Sequence, residues 1–177
     1  MSEHGVIALD GMLVPLRDGA VSELRPLDLP GTEMAPGVWL HTDPEAGISG
    51  QWSSPRGRLC EIDITVDAPG RWLGLHVALP PFEADAVTWL GIALRVHAAR
   101  PLALRPCLRS GTDEGFVDTF FDRHALARTA ETDHHGVLAP DRHPDLPATA
   151  PWRELILFLP SGESLSLALH ALRIFAL

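Results

Sequence analysis

Residues 59–67 read LCEIDITVD, and this stretch decides the fold class. Its apolar side chains occupy positions 60, 62, 64 and 66, and the residues between them carry carboxyl or hydroxyl groups. A period of two is the spacing at which a β-strand places successive side chains on opposite faces. The stretch therefore predicts a half-buried strand over Leu59–Asp67.

The same alternation recurs along the rest of the chain. Residues 71–79 (RWLGLHVAL) and 88–97 (TWLGIALRVH) again carry branched apolar residues at every second position. Further strands are predicted at residues 102–109, 115–121, 152–159 and 164–175, with Gly- and Pro-rich turns between several of them. Because apolar residues recur at i+2 and not at i+3 and i+4, the pattern predicts an all-β, two-sheet antiparallel β-sandwich (jelly roll) with at most one or two short helical turns.

The parts outside these strands are less regular. We interpret residues 1–57 as an irregular N-terminal segment with short strands, and residues 58–177 as the main sandwich of a single domain spanning 1–177. In the first segment, Asp10-Gly11 is interpreted as a hairpin turn between Val6–Leu9 and Met12–Leu16, and Asp43–Gly50 as a loop. Residues 122–130 favour a helical turn or two, and residues 132–150 favour a polar loop.

Composition narrows the classes of function. The chain has 14 basic residues, all of them Arg, against 23 acidic ones, and its net charge of −9 disfavours nucleic acids and anionic membranes as partners. The absence of Lys, Asn and Tyr fits a bacterial genome of high GC content. No secretory signal or apolar span of about 20 residues is visible, so we expect a soluble, cytoplasmic protein, with lysis or a non-classical export route as the alternative.

Two features remain open at this stage. Cys60 and Cys107 lie in apolar runs, where they form either two buried thiols or one bridge between strands. Structural calcium is the only cofactor that we consider besides a metal in the histidine-rich loop. Acidic loops at 43–45 and 113–114 are its candidate sites.

The order and patterning of several strands resemble a known architecture. These are the runs beginning at Trp72, Trp89, Leu104, Trp152 and Leu165. Together they resemble the jelly-roll, galactose-binding-like sandwiches of carbohydrate-binding modules. The resemblance implies a non-catalytic role in binding a glycan or sugar conjugate, or in assembly, with the ligand on a concave sheet face or at the loops of one edge.

The non-leucine sides of the middle strands predict a binding surface. In both 72–76 and 89–97 a Trp is followed by small residues and then by His or Arg, which leaves an indole beside an indentation. Sugar rings pack on aromatic planes while charged and imidazole groups bind their hydroxyls. The candidate ligand-binding residues are Trp72, His76, Trp89, Arg95, His97, Arg105, Arg109 and Asp118. The alternative is that residues 1–57 cover this surface and that both indoles belong to the core.

A second cluster is the histidine-rich loop, in which Asp-Arg-His occurs at 122–124 and again at 141–143. His134, His135 and His143 are weak candidates for metal ligands, because imidazoles and carboxylates bind zinc and similar ions. Their spacing matches no zinc signature, and the alternative is a solvated polar loop.

Three functions follow from these patterns. The favoured one is a non-catalytic carbohydrate-binding module that uses a concave sheet face. The second is a structural or assembly protein of a bacterial or phage-like particle that forms protein–protein contacts or a homo-oligomer. The third is a small metal-dependent enzyme that uses the His/Asp loop. The sequence has no Gly-x-Ser-x-Gly elbow and no phosphate loop, so we predict that it is not an enzyme.

Overall fold

The computed structural model describes residues 5–19 and 21–177. Within these residues strands account for most of the regular structure, and the predicted all-β fold class is confirmed. The strands are β1 (Ile7–Ala8), β2 (Val21–Pro26), β3 (Gly31–Ala35), β4 (Val38–Thr42), β5 (Gly47–Ser54), β6 (Cys60–Ala68), β7 (Leu73–Leu79), β8 (Leu90–Ala98), β9 (Leu102–Thr112), β10 (Gly115–Phe120), β11 (Ala125–Ala127), β12 (Thr132–Leu138), β13 (Arg153–Phe158) and β14 (Leu165–Ala176).

The strands form two antiparallel sheets. The first sheet has the order β12-β8-β14-β6-β5-β2, and β1 pairs with β14. The second has the order β10-β9-β13-β7-β4-β3, and β11 pairs with β9. Both sheets combine strands from the N-terminal 57 residues with strands from the rest of the chain. The strands that the structure describes between residues 21 and 54, together with β1, thus extend the two sheets at their edges and ends and do not cover an outer face.

The core lies between the inner faces of the two sheets. Leu73 and Val77 of the second sheet are fully buried, as are Leu90 and Ile92 of the first, and all four belong to one apolar cluster. Strands β7 and β8 are consecutive in the chain, but residues 80–89 carry the chain from one sheet to the other. Consequently the outward side chains of β7 and those of β8 lie on opposite sides of the molecule.

The prediction of a hairpin around Asp10-Gly11 is wrong. The chain forms a 3-10 turn at Gly11–Leu13 and then the short helix α1 (Val14–Asp18). The buried leucines fall at positions 9, 13 and 16, which is the spacing of a helix and not of a strand. At five residues, α1 is the longest helix among the described residues. None of the helices that the structure describes is long and apolar enough to cross a membrane.

Two segments that were predicted to be helix or loop contain strands instead. The segment expected to be helical contains β11, which pairs with Leu102–Leu104 of β9. Residues 132–138 of the predicted loop form β12, an edge strand paired with β8. An edge strand buries little of its surface, and its ladder hydrogen bonds come from a neighbour distant in sequence, so its own composition remains polar. The expected loop at 43–50 likewise ends in the first residues of β5.

Candidate functional site

The structure divides the predicted ligand-binding residues between the two sheets. On the outer side of the second sheet lie Trp72, His76, Arg105, Arg109 and Asp118. On the outer side of the first sheet lie Arg95 and His97, and Trp89 directly precedes β8. The expectation that all eight share one surface is therefore wrong, because β7 and β8 belong to different sheets. We call the outward side chains of β4, β7, β13, β9 and β10, together with Trp72 and Trp152, the second-sheet face.

A row of charged side chains crosses the middle of the second-sheet face. Glu154, Arg109 and Asp118 are register neighbours on β13, β9 and β10. Arg109 Nε and Nη2 donate to the two carboxylate oxygens of Asp118 at 2.6 and 2.8 Å. Arg109 Nη1 lies 3.9 Å from Glu154 Oε1. The bidentate pair with Asp118 fixes the orientation of the Arg109 guanidinium.

Imidazoles connect this row to an aromatic end of the face. His76 Nδ1 lies 3.1 Å from Glu154 Oε1, and the His76 ring meets His41 edge-on at 4.9 Å. His41 in turn stacks on Trp39, with 5.3 Å between ring centroids and 6° between planes. Burial and the neighbouring His76 lower the pKa of His41, so its imidazole is neutral at pH 7.

Both indoles at this end are partly accessible. Trp39 and Trp72 are half-buried, and the Trp72 ring lies 6.4 Å from that of His76. Trp39 is the register partner of His76 across the β4–β7 ladder, while His41 faces Gly74. An added Cβ at Gly74 would lie 2.8 Å from Ile156 Cγ2 and 3.1 Å from His76 Nε2, so glycine at this position leaves room for the His76 ring.

A second aromatic group lies at the other end of the face. Phe116 is 55% exposed and Trp152 is 44% exposed. The Arg109 guanidinium carbon lies 3.8 Å from the centroid of the Phe116 ring. The Trp152 indole lies over Gly111, where an added Cβ would clash with the indole nitrogen. Glycine at 111 thus lets the indole lie flat against the sheet.

The two cysteines are free thiols in separate sheets, Cys60 on β6 and Cys107 on β9. The structure therefore decides between the two alternatives in favour of buried thiols. Cys107 points to the second-sheet face but is completely covered, as is Ile156 beside it. Burial raises the pKa of each thiol to about 12.

We expect neither thiol to react in the folded protein at pH 8, because a buried thiol with so high a pKa supplies almost no thiolate. An aromatic disulfide reagent should titrate close to zero thiols in native buffer and two per chain in guanidinium chloride. Labelling of either cysteine in the native state at the rate of free cysteine would contradict the burial described here.

Several residues of the second-sheet face were missed by the sequence analysis: Trp39, His41, Phe116, Trp152 and Glu154. A signal for the first two was present in the sequence, since residues 37–41 read GVWLH and the alternation of a strand puts Trp39 and His41 on the same side. What the sequence lacked was the order of the strands, which makes β4 the neighbour of β7.

The outer face of the first sheet carries different pairs. Arg95 Nε donates to Asp133 at 3.0 Å, and the ring nitrogens of His97 and His170 lie 2.8 Å apart. Arg95 and His97, the two predicted site residues on β8, are thus each paired with a residue of β12 or β14.

The candidate metal ligands do not converge. His134 and His135 are adjacent on β12, so their side chains leave opposite faces of the strand, and only His135 lines the same cleft as His143. Within residues 5–19 and 21–177 no group of three or more His, Cys, Asp or Glu side chains is placed to share a metal ion.

The acidic loop at 43–45 does not fit a calcium ion. Asp43 Oδ2 accepts hydrogen bonds from the backbone N–H and the Nε of Arg71, both at 2.9 Å, and Oδ1 accepts one from the backbone of Glu45. The Arg71 guanidinium also holds the pKa of this carboxyl well below its usual range. The carboxylate already has a cation and two backbone donors as partners, so it fastens the turn before β5 to the one before β7.

Comparisons with known proteins establish a similarity in fold only. No protein family and no curated protein matches this sequence. A solved CBM4 carbohydrate-binding module superposes with a TM-score of 0.59 at 12% identity, over 86% of this chain and 95% of the other. The fold is the β-sandwich of carbohydrate-binding modules. This confirms the predicted resemblance at the level of fold.

The same sandwich also occurs in an enzyme. Endoglucanase 3 of family GH12 from Trichoderma harzianum superposes with a TM-score of 0.51 at 6% identity, over 88% of this chain and 99% of the other. The carbohydrate-binding-module fold thus accommodates both binding and hydrolysis. Function must be argued from the side chains of this chain.

Proposed function

We propose that this chain is a non-catalytic carbohydrate-binding module that holds a glycan on its second-sheet face. The observation that carries the proposal is that one sheet face has the half-buried indoles Trp39 and Trp72 at one end and the exposed rings of Phe116 and Trp152 at the other. Between the two ends runs the charged row of Glu154, Arg109 and Asp118. In this proposal the predicted concave sheet face is the outer face of the second sheet.

The dimensions of the face favour an oligosaccharide. From β4 to β10 the face crosses five adjacent strands, and four spacings of about 4.8 Å give roughly 19 Å. Separated aromatic rings along such a path can stack on different sugars of one chain, because the C–H faces of sugars are apolar and their edges carry hydroxyls.

The polar groups of the face are already oriented. The bidentate pair with Asp118 and the Phe116 ring hold Arg109 from two sides, and His76 holds Glu154. Restricting these side chains in the free protein reduces the entropy lost when a ligand binds. The Nη1 group of Arg109, which makes no contact shorter than 3.9 Å with Glu154, can donate to a hydroxyl.

The carboxylates of the face favour binding over hydrolysis. A glycosidase of the usual kind needs one carboxyl group as proton donor and a second as base or nucleophile. Both oxygens of Asp118 accept hydrogen bonds from Arg109, and Glu154 contacts both His76 and Arg109, so both carboxylates already have partners within the protein. These contacts support the non-catalytic assignment.

The test is a titration of the purified protein with soluble β-glucan, xylan, mannan and galactan oligosaccharides, followed by tryptophan fluorescence and calorimetry. We expect saturable binding of at least one of them without release of reducing ends. Arg105→Gln should weaken binding, because Arg105 lies over Phe120 on the second-sheet face, whereas the matched Arg95→Gln on the first sheet should leave it unchanged.

The outcomes separate the parts of this proposal. No binding across the panel would reject glycan recognition. Equal effects of Arg105→Gln and Arg95→Gln would reject the second-sheet face as its location. Release of reducing ends by the wild-type protein would overturn the non-catalytic assignment and favour an endoglucanase-like activity.

A further inference from the structure

A separate cleft of about 420 Å³ lies along the edge strand β12 of the first sheet. Its volume falls in the range of small-molecule sites. Trp89 and Phe121 contribute aromatic surface, while Arg123, Arg142, His135 and His143 contribute polar groups, and Asp122 is the one carboxylate among the lining residues. None of these residues belongs to the second-sheet face.

The fold brings the two Asp-Arg-His sequences together at this cleft. The first begins at Asp122, separated from the end of β10 by Phe121, and the second begins at Asp141, within the 3-10 turn Pro140–Arg142. The two flank β11 and β12 in the chain, and each contributes its arginine to the cleft. The repeated motif noted in the sequence thus has a common location.

The arginines of the cleft differ from most others in the chain. Of the 14 arginines, ten make an ion pair, a side-chain hydrogen bond or a cation–π contact with another described residue. The four that make none within residues 5–19 and 21–177 are Arg56, Arg123, Arg128 and Arg142. Two of these four line one cleft, in a protein with a net charge of −9. Two guanidiniums without a carboxylate partner form a binding position for an anion.

The surroundings of β12 support a positive local potential. The pKa of His134 is lowered by burial and then by the nearby His135 and Arg123. Arg123 lines the cleft, and its effect on His134 has the sign expected from its positive charge.

The cleft also offers an apolar surface beside these cations. Trp89 is half-buried, Phe121 is buried, and Val137 is 52% exposed. An inorganic anion alone would gain nothing from an indole, whereas a sugar ring can pack against it. The combination selects a ligand that has both a ring and a negative charge.

We propose that this cleft binds a carboxylated sugar, such as a hexuronate unit of an acidic glycan. The carboxylate lies between Arg123 and Arg142, the ring packs on Trp89, and the imidazoles of His135 and His143 bind hydroxyls. The site is independent of the second-sheet face and does not require that face to bind a glycan.

The experiment is calorimetric titration of the full chain with digalacturonate, with its dimethyl ester and with inorganic phosphate. We expect digalacturonate to bind and the uncharged ester to bind at least ten-fold more weakly, because the ester lacks the charge that the guanidiniums recognise. Arg123→Gln and Arg142→Gln should each weaken digalacturonate binding about ten-fold. The matched control Arg128→Gln changes an exposed arginine outside the cleft, and its affinity for digalacturonate should remain within two-fold of that of the wild type.

Each remaining outcome overturns the proposal. Absence of digalacturonate binding rejects the site, and equal binding of acid and ester rejects the role of the carboxylate. Phosphate binding as tight as that of digalacturonate reduces the cleft to an inorganic-anion site. Loss of digalacturonate binding in Trp39→Ala would place it on the second-sheet face instead, so failure of this proposal is distinguishable from failure of the proposed function.

Discussion

Replacing Trp39 by alanine should weaken glycan binding about 30-fold while leaving the fold intact. The Trp39 indole is half-buried and stacks on His41, so it offers a flat surface of fixed orientation to a sugar ring. Covering about 80 Å² of apolar surface is worth about 2 kcal/mol, which corresponds to about a 30-fold change in Kd. Calorimetry with the best ligand of the oligosaccharide panel measures this change directly.

The matched control is Trp89→Ala, which removes an indole of similar exposure from the other side of the molecule. It should change the affinity for a neutral glycan less than two-fold. Thermal unfolding of both variants separates loss of binding from loss of structure. If Trp39→Ala binds as tightly as the wild type, the aromatic end of the second-sheet face is not part of the binding site.

Replacing Arg153 by leucine should lower the free energy of unfolding by about 3 kcal/mol. Arg153 is only 3% exposed, and its guanidinium donates to the hydroxyl of Ser110 and to the carbonyls of Pro147 and Ala148, the last two at 2.7 and 2.8 Å. It also lies over the ring of Phe82. Leucine cannot donate, so the buried hydroxyl loses its partner and the loop before β13 loses its anchor.

Urea denaturation followed by circular dichroism measures this loss. Arg128→Leu is the matched control, because Arg128 is exposed and makes no side-chain contact of these kinds within the described residues, and its stability should remain within about 0.5 kcal/mol of the wild type. Equal stability of Arg153→Leu and the wild type would mean that the buried guanidinium does not anchor the loop. Because Trp152 and Glu154 flank Arg153, this anchor also positions their side chains on the second-sheet face.

Some features of the fold and of the candidate site could be predicted from the sequence, and others could not. The alternation in 71–79 correctly predicted a strand with Leu73 and Val77 in the core and His76 on the outer side. The pairing of Arg109 with Asp118 was also accessible, since both strands of that hairpin are close in the chain. These features depend on neighbours within about ten residues.

Which of the candidate binding residues share one surface could not be predicted from the local sequence. Trp72 and Trp89 have similar surroundings in the sequence, yet they lie on different sides of the molecule because the chain changes sheets between β7 and β8. Trp39 and His76 have little in common locally, yet they are register neighbours on β4 and β7. The two Asp-Arg-His segments, interpreted first as a polar loop, meet at one cleft because β12 joins the first sheet between them.

The sequence by itself determined that the chain is a β-sandwich and which side of each long strand is apolar. The tertiary structure alone decided which outward faces lie side by side, and hence which residues form the second-sheet face and which line the cleft at β12. The physical reason is that the period of two follows from the geometry of a single strand, whereas strand order follows from hydrogen bonds and packing between segments far apart in the chain. A strand has two edges that accept almost any partner backbone, and only the packing of the whole core selects among them.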